Sequence, residues 1–488
     1  MAWNDKQHGQ SLPEAERRNG SLAGPRTQSD ASSPVKQEKS SYLSFALMTI
    51  AATFGGLTQN IMNTALPSLM SDLAISVTSG QLLTTLFPLC MGVVIPTVAF
   101  LSRRFSSRSL VLASLALFIA GSLTIAVSES FTLIVIGRIM QGCATGILVP
   151  LVQVVVLAIY PQERWGLLMG IVGIAMGFAP NIGPTIGGAF TEYLGWRSCF
   201  WFLTIFSLAL LVACLIWFHP RAIAEENPPR LDIASLLLSS AGFGCLLMGF
   251  SNAASYGFSS LESASFIVIG AIAIVFFCHR ELHIPNPLLD LRTFKDRNFT
   301  VGTIMICLLF CAFIGITLVI PMQLQSVEHF SALDAGLVLL PSSIVAAIMS
   351  PLSGALVDRF GARPVSLLAI VALIGGTIMI LDLGHCSDLG WIAGAQCVRQ
   401  FGIASLIMPL TVWSVRKLTG HMTADGTTVS NALRQVAASL STAFMVLLMA
   451  GGTAGGTTTA EGVNAAMMLS LVMAVAMFVI ALAALRDA

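Results

Sequence analysis

A few side chains that can hydrogen-bond or carry charge sit inside otherwise apolar stretches of this chain. Thr58, Gln59, Asn60 and Asn63 fall in TQNIMNTALP (58–67), and none of the four ionises. Arg138 and Gln141, one helical turn apart, lie in RIMQGCATGILVP (138–150). Arg399 opens RQFGIASLIMP (399–409), and Asn431 and Arg434 are a turn apart further on. These types suit recognition by hydrogen bonds and positive charge. The sequence carries no nucleophile–base set, phosphate loop or metal-ligand spacing, so an enzyme is not expected. The ten cysteines are scattered, without CxxC or a His/Cys cluster. Neither a metal, a cofactor nor a disulfide framework is indicated. Cys307 and Cys311 share a helix face in an apolar run, which reads as packing.

The 24 acidic residues avoid the apolar centres. Glu192, Asp334, Asp382 and Asp425 come closest, each within a turn or two of an apolar boundary. The seven histidines lie in the N-terminal tail, in connections or at boundaries. Proton coupling needs a group whose pKa its surroundings can shift. Those four acids are therefore the proton-coupling candidates, and the alternative is that protons do not drive the protein.

The elements that position these residues follow from composition. The chain has 488 residues, 55% hydrophobic and 10% charged, with mean hydropathy +0.84. A soluble domain carries roughly 25% charged residues, so this is an all-α polytopic membrane protein. The net charge of +1 gives no reason to expect nucleic acid as a partner. Fourteen apolar stretches reach helical-span length: 42–67, 79–101, 108–127, 131–157, 165–190, 198–218, 232–254, 262–279, 299–321, 333–355, 364–383, 390–413, 425–449 and 463–484. Residues 1–41 are polar, lack the apolar core of a signal peptide, and read as a disordered cytoplasmic tail. With the N-terminus inside, 21 of the 25 Lys and Arg fall on cytoplasmic segments and only Arg197 outside. That bias predicts both termini in the cytoplasm.

The sequence also repeats weakly. AFLSRRFSSR (99–108) and GALVDRFGAR (354–363) are 255 residues apart, and Arg138 and Arg399 are 261 apart. Two bundles related by an axis along the membrane normal are implied. The expected organisation is a tail (1–41), a six-helix bundle (42–218), a linker with two inserted spans (219–298) and a second six-helix bundle (299–488).

These segments resemble the major facilitator superfamily, in its fourteen-span drug:proton antiporter branch. GALVDRFGAR matches the loop signature through Gly354, Asp358, Arg359, Gly361 and Arg363. RIMQGCATGILVP matches the fourth-span signature, and GFAPNIGPTIGG (177–188) the antiporter signature of span 5. NTALP (63–67) matches the end of the first-span signature, and NPLLDLRTFKDRNF (286–299) the approach to span 9. The resemblance covers about 42–484. It implies a multidrug efflux transporter in a bacterial cytoplasmic membrane, a monomer, moving amphiphilic small molecules, with coupling to protons as one of the two alternatives above. It also implies an aspartate on span 1, where this chain has Thr58. The first loop copy departs as well, with Arg103 at the Asp position and Ser106 at a glycine position. Arg103 is expected to repel basic neighbours there.

Gly177, Pro180, Gly183, Pro184, Gly187 and Gly188 on span 5 suggest a bent helix at a rocking interface between the bundles, which competes with ordinary close packing. The loop residues suggest a latch on the cytoplasmic side, which competes with a plain charged turn. Transporters of this plan bind near the midplane between repeats. The expected cavity is lined by Gln59, Met62, Asn63, Phe87, Arg138 and Gln141 from the first bundle and Phe310, Arg399, Asn431 and Arg434 from the second. Arg138 lies about 10 Å below the surface at ~1.5 Å per residue, so snorkelling competes with a cavity role. For Asn63 the competing role is an interhelical hydrogen bond. An uncoupled lipid or metabolite transporter of the same fold, or a membrane scaffold, are the other readings.

Overall fold

Lipid offers no partner to backbone N–H and C=O groups, so apolar spans close their hydrogen bonds internally as helices. The computed structural model describes residues 34–75, 77–218, 232–284, 287–324, 328, 332–381, 388–451 and 459–485. The chain divides into Met1–Lys39 and Ser40–Ala488, and the second unit is the subject here. No strand occurs among the described residues.

The helices are α1 (Pro34–Leu73), α2 (Val77–Val94), α3 (Val98–Arg104), α4 (Ser107–Val127), α5 (Phe131–Ile159), α6 (Trp165–Leu194) and α7 (Arg197–Trp217). Then come α8 (Ile233–Tyr256) and α9 (Leu261–His283). The last set is α10 (Arg297–Met322), α11 (Ala332–Phe360), α12 (Ala362–Met379), α13 (Leu389–Val415), α14 (His421–Met449) and α15 (Ala460–Ala484). A short 3-10 turn, Ile95–Thr97, joins α2 to α3. Among the described residues, 11 helices are long and apolar enough to cross a membrane, or up to 12 if α6 counts as one bent span. The apolar stretch of α10 that can be assessed, Arg297–Phe313, falls short of span length. Asp334 lies on α11, but its side chain and all of Asp382 are outside the described residues.

α4 packs on α5 and α7, and α2 on α5; α10 packs on α13, α14 and α15, and α12 on α13 and α15. The early helices meet the late ones along a seam where α6 lies on α11 and α13, and α14 on α2, α3 and α5. Helices α8 and α9 pair with each other, and α8 also lies on both α2 and α14. Its Phe243 joins Phe87, Met91 and Ile95 of the early set and Ala432 of the late set in one apolar cluster. Helix α8, backed by α9, thus lies over the seam on one side.

The stretch that holds α6 bends by 42° between Gln162–Pro180 and Ile182–Leu194. Pro184 has no N–H, so the Pro180 carbonyl four residues back loses its helical donor. Asn60 of α1 supplies one: its Nδ2 donates to that carbonyl at 2.7 Å. Asn63 Nδ2 in turn donates to Asn60 Oδ1 at 3.3 Å.

Candidate functional site at the helix seam

Two buried arginines organise the two sets in parallel. Arg138 Nε donates to the Leu83 carbonyl (3.0 Å), and its Nη1 to the Thr58 carbonyl (3.4 Å) and to Gln141 Oε1 (3.1 Å). Gln141 Nε2 donates onward to Ser122 Oγ at 2.8 Å. The guanidinium lies 4.7 Å from the centre of the Phe87 ring. Arg399 Nε donates to Thr377 Oγ1 (3.0 Å), Nη1 to Gln396 Oε1 (3.0 Å) and Nη2 to the Ala312 carbonyl (3.3 Å). Thr58 and Ala312 are 254 residues apart, and Ser122 and Thr377 are 255 apart, which matches the loop repeat. Both arginines are fully buried, and these contacts stay within their own helix sets. Arg399 satisfies all three of its nitrogens, whereas Arg138 Nη2 has no partner. The Thr58 hydroxyl turns away, donating to the Phe54 carbonyl at 2.8 Å.

A second group spans the seam. Asn431 Nδ2 on α14 donates to Gln153 Oε1 on α5 at 2.7 Å. Gln153 Nε2 and Arg434 Nη1 both approach Met176 Sδ on α6, at 3.1 and 3.8 Å. Arg434 lies 4.4 Å from the centre of the Phe310 ring. The fold therefore brings Phe310, Asn431 and Arg434 together with Gln153 and Met176, which the sequence reading missed. A lone glutamine in the apolar run VPLVQVVV was the available signal. Met62 and Phe87 are fully buried in packed clusters, Gln59 is half-buried and Asn63 exposed.

At the face that carries the basic loops, the early and late sets interlock. Asp358 Oδ1 and Oδ2 accept from the N–H groups of Gly166 (3.1 Å) and Leu167 (2.9 Å) in the first turn of α6. Those N–H groups have no intrahelical acceptor, and the helix dipole favours an anion there. A Cβ on Gly166 would strike the Asp358 carboxylate, and one on Gly170 would come within 2.5 Å of the Ser350 carbonyl of α11. Gly361 ends α11 at φ +88°, which its lack of a side chain permits. Arg359 stacks at 5.2 Å on Phe360.

The span-5 glycines divide their work differently from the expectation. Gly166, Gly170 and Gly173 press on late-set residues, whereas Gly183 and Gly187 press on Leu57, Asn60, Ile61 and Thr64 of α1, within the early set. A Cβ on Gly177 would lie 3.9 Å from Ala346 of α11, and one on Gly188 would meet nothing within 4 Å. The bend at Pro180 and Pro184 separates the two duties.

Arg103 was expected to repel its neighbours. It instead pairs across the seam with Asp425 of α14, at 3.7 Å, and its Nη2 donates to the Pro287 carbonyl at 3.3 Å. Asp425 is fully buried, and Asp290 meets His421 alongside it at 3.7 Å. Arg103 occupies the position equivalent to Asp358, and α14, like α6, begins beside it. A cation is unfavourable at a helix N-terminus; a carboxylate in the second turn of α14 reverses that. Of the other boundary acids, Glu192 is exposed. On the opposite face Asp72 accepts from Trp196 Nε1 at 3.1 Å and pairs with Arg197.

Comparison with known proteins agrees with this architecture. A profile described as Major Facilitator Superfamily matches residues 48–442. The chain is 35% identical over 430 residues to the uncharacterized MFS-type transporter YcnB of Bacillus subtilis, covering 87% of this chain and 91% of that one. It is 31% identical over 427 residues to the lincomycin resistance protein LmrB of Listeria monocytogenes, covering 87% and 90%. The fold matches that of the human organic anion transporter MFSD10 with a TM-score of 0.59 at 14% identity, covering 91% of this chain and 100% of that one. The chain belongs to the major facilitator superfamily of membrane transporters, not to an enzyme family.

Proposed function

We propose that this protein exports amphipathic small molecules by alternating access, as a fourteen-span member of the drug-efflux branch, from two six-helix bundles and an inserted helix pair in a bacterial cytoplasmic membrane. The observation that carries the reading is the polar and aromatic group on the seam, built from α5 and α6 on one side and α10 and α14 on the other. Rocking one set against the other would alternately expose such a site. Similarity to the lincomycin resistance protein supports export. With the basic face taken as cytoplasmic, the contacts of Asp358 and Arg103 would hold that side together.

A second reading concerns energy coupling. Thr58 stands where the resemblance implies an aspartate; Arg138 reaches the Thr58 carbonyl through Nη1, and its Nη2 lacks an acceptor. That vacancy of charge favours transport driven by the substrate gradient or by a boundary acid such as Asp425. Flux measured in proteoliposomes, with and without an imposed pH gradient, decides. Substrate accumulation only with the gradient establishes antiport; equal flux in both establishes an uncoupled carrier; absence of flux for every amphiphile removes the transport reading.

A further inference from the structure

Arg434 is the charged member of the seam group. It is buried to 6% residual exposure. Its neighbours are a sulfur and a ring face, and no ion pair among the described residues includes it. Asp425, on the same helix, lies nine residues away, about 13 Å at ~1.5 Å rise per residue, and faces Arg103. One turn from Arg434, Asn431 leaves its Oδ1 buried and without a donor while its Nδ2 is fully engaged. An uncompensated buried cation costs several kcal/mol, and a partner that supplies the counter-charge relieves it.

We propose that Arg434 is the specificity-determining residue of the seam site and selects aromatic anions, bearing a sulfonate, carboxylate or phenolate, over amphipathic cations. The inference rests on the seam being the substrate site. The planar guanidinium takes the acid group bidentately. The ring portion lies against Phe310 and Met176, which adapt to flat apolar shapes. Asn431 Oδ1 accepts from a hydroxyl or N–H on the same ligand, which sets its orientation. A cation meets Arg434 with like charge in a low-dielectric setting, where repulsion is strong.

The test uses the full-length protein and three probes: 8-anilinonaphthalene-1-sulfonate, an uncharged aminocoumarin and ethidium. Binding is read by fluorescence on purified protein, and flux in proteoliposomes. The parent is expected to bind the sulfonate at least about tenfold more tightly than ethidium. Arg434→Gln should lose about tenfold or more in sulfonate affinity beyond any loss of coumarin affinity, and Arg434→Lys less, with a thermal midpoint in detergent near the parent's as the control for folding. Equal binding of ethidium and sulfonate by the parent, or sulfonate affinity indifferent to Arg434→Gln, overturns the inference. Should none of the probes cross the membrane although sulfonate binding follows Arg434, selection by Arg434 stands and the export reading falls.

Discussion

Asn60 is bound to the chemistry of a residue on another helix. Its amide supplies the donor that Pro184 cannot, so the polar stretch on α1 and the proline on α6 are two parts of one device. Asn60→Leu should lower the thermal midpoint in detergent by an amount equivalent to about 1–3 kcal/mol, the cost of a buried carbonyl without a partner. Pro184→Ala restores a backbone N–H, so Asn60→Leu should cost much less in that background; equal losses in both backgrounds would show that the hydrogen bond is incidental. Thr58 poses the complementary case. Thr58→Asp places a carboxylate on α1 at the residue whose carbonyl Arg138 already reaches, and a rotamer turned from the Phe54 carbonyl toward the guanidinium would supply the acceptor that Nη2 lacks. Flux should become more sensitive to pH, and a flat pH profile in that variant would separate position 58 from coupling. The sequence made Thr58, Arg138 and Gln141 legible as a group, because charge and amides in apolar runs stand out. It hid most destinations of their hydrogen bonds: the carbonyls of Leu83, Thr58 and Phe54 carry no residue-type signal, and Ser122 is one serine among many.

Helix α6 serves two partners, and the glycines of each half should respond differently. Gly170→Leu forces α6 off α11 at the basic face, so flux should fall about tenfold or more and a cysteine placed near Gly354 should become more reactive to aqueous thiol reagents. Gly187→Leu disturbs α1 instead and should leave that cysteine protected; equal reactivity in the two variants would dissolve the distinction. The two loop copies also become comparable. Arg103→Asp sets a carboxylate against Asp425 and should impair flux as much as Asp358→Asn does, with partial recovery in Arg103→Asp combined with Asp425→Asn. Recovery of nothing by the second change would mean that Arg103 acts through the Pro287 carbonyl. Sequence motifs located both loops and the glycine-rich helix. They could not reveal that Arg103 had found an acid 322 residues away, since nothing local links the two positions.

At the scale of the whole molecule, stability near neutral pH should be insensitive to the titration of Asp232, at the start of α8. Arg280 beside Asp232, through hydrogen bonds of 2.7 and 3.0 Å, holds the Asp232 carboxyl at about 2, below its ordinary value of 3.8. A depressed carboxyl stabilises the fold above the unfolded-state pKa and loses that contribution as pH falls from near 4 toward 2. The pair is partly exposed, so the effect is small. Melting curves of the parent and Asp232→Asn should therefore approach each other as pH falls from 4 toward about 2 and differ slightly, without pH dependence, from 5 to 8. A gap that changes between pH 5 and 8 would place the linkage elsewhere. At this scale composition alone gave the membrane class, and weak internal repetition gave the parallel arrangement of Arg138 and Arg399. The seating of α8 over the seam was not legible, because an apolar helix facing lipid and one facing another helix have the same composition.

The pairing of Arg103 with Asp425 restricts how this protein can exchange parts with its relatives. A hybrid that takes its first half from a homologue with aspartate in the first loop would present that acid to the buried carboxylate of α14. The reciprocal hybrid, with Arg103 facing a helix that lacks such an acid, would strand a cation at a helix N-terminus. The two positions must travel together, so crossovers within the connection between them should yield defective chimaeras, whereas joint transfer of both residues should restore function.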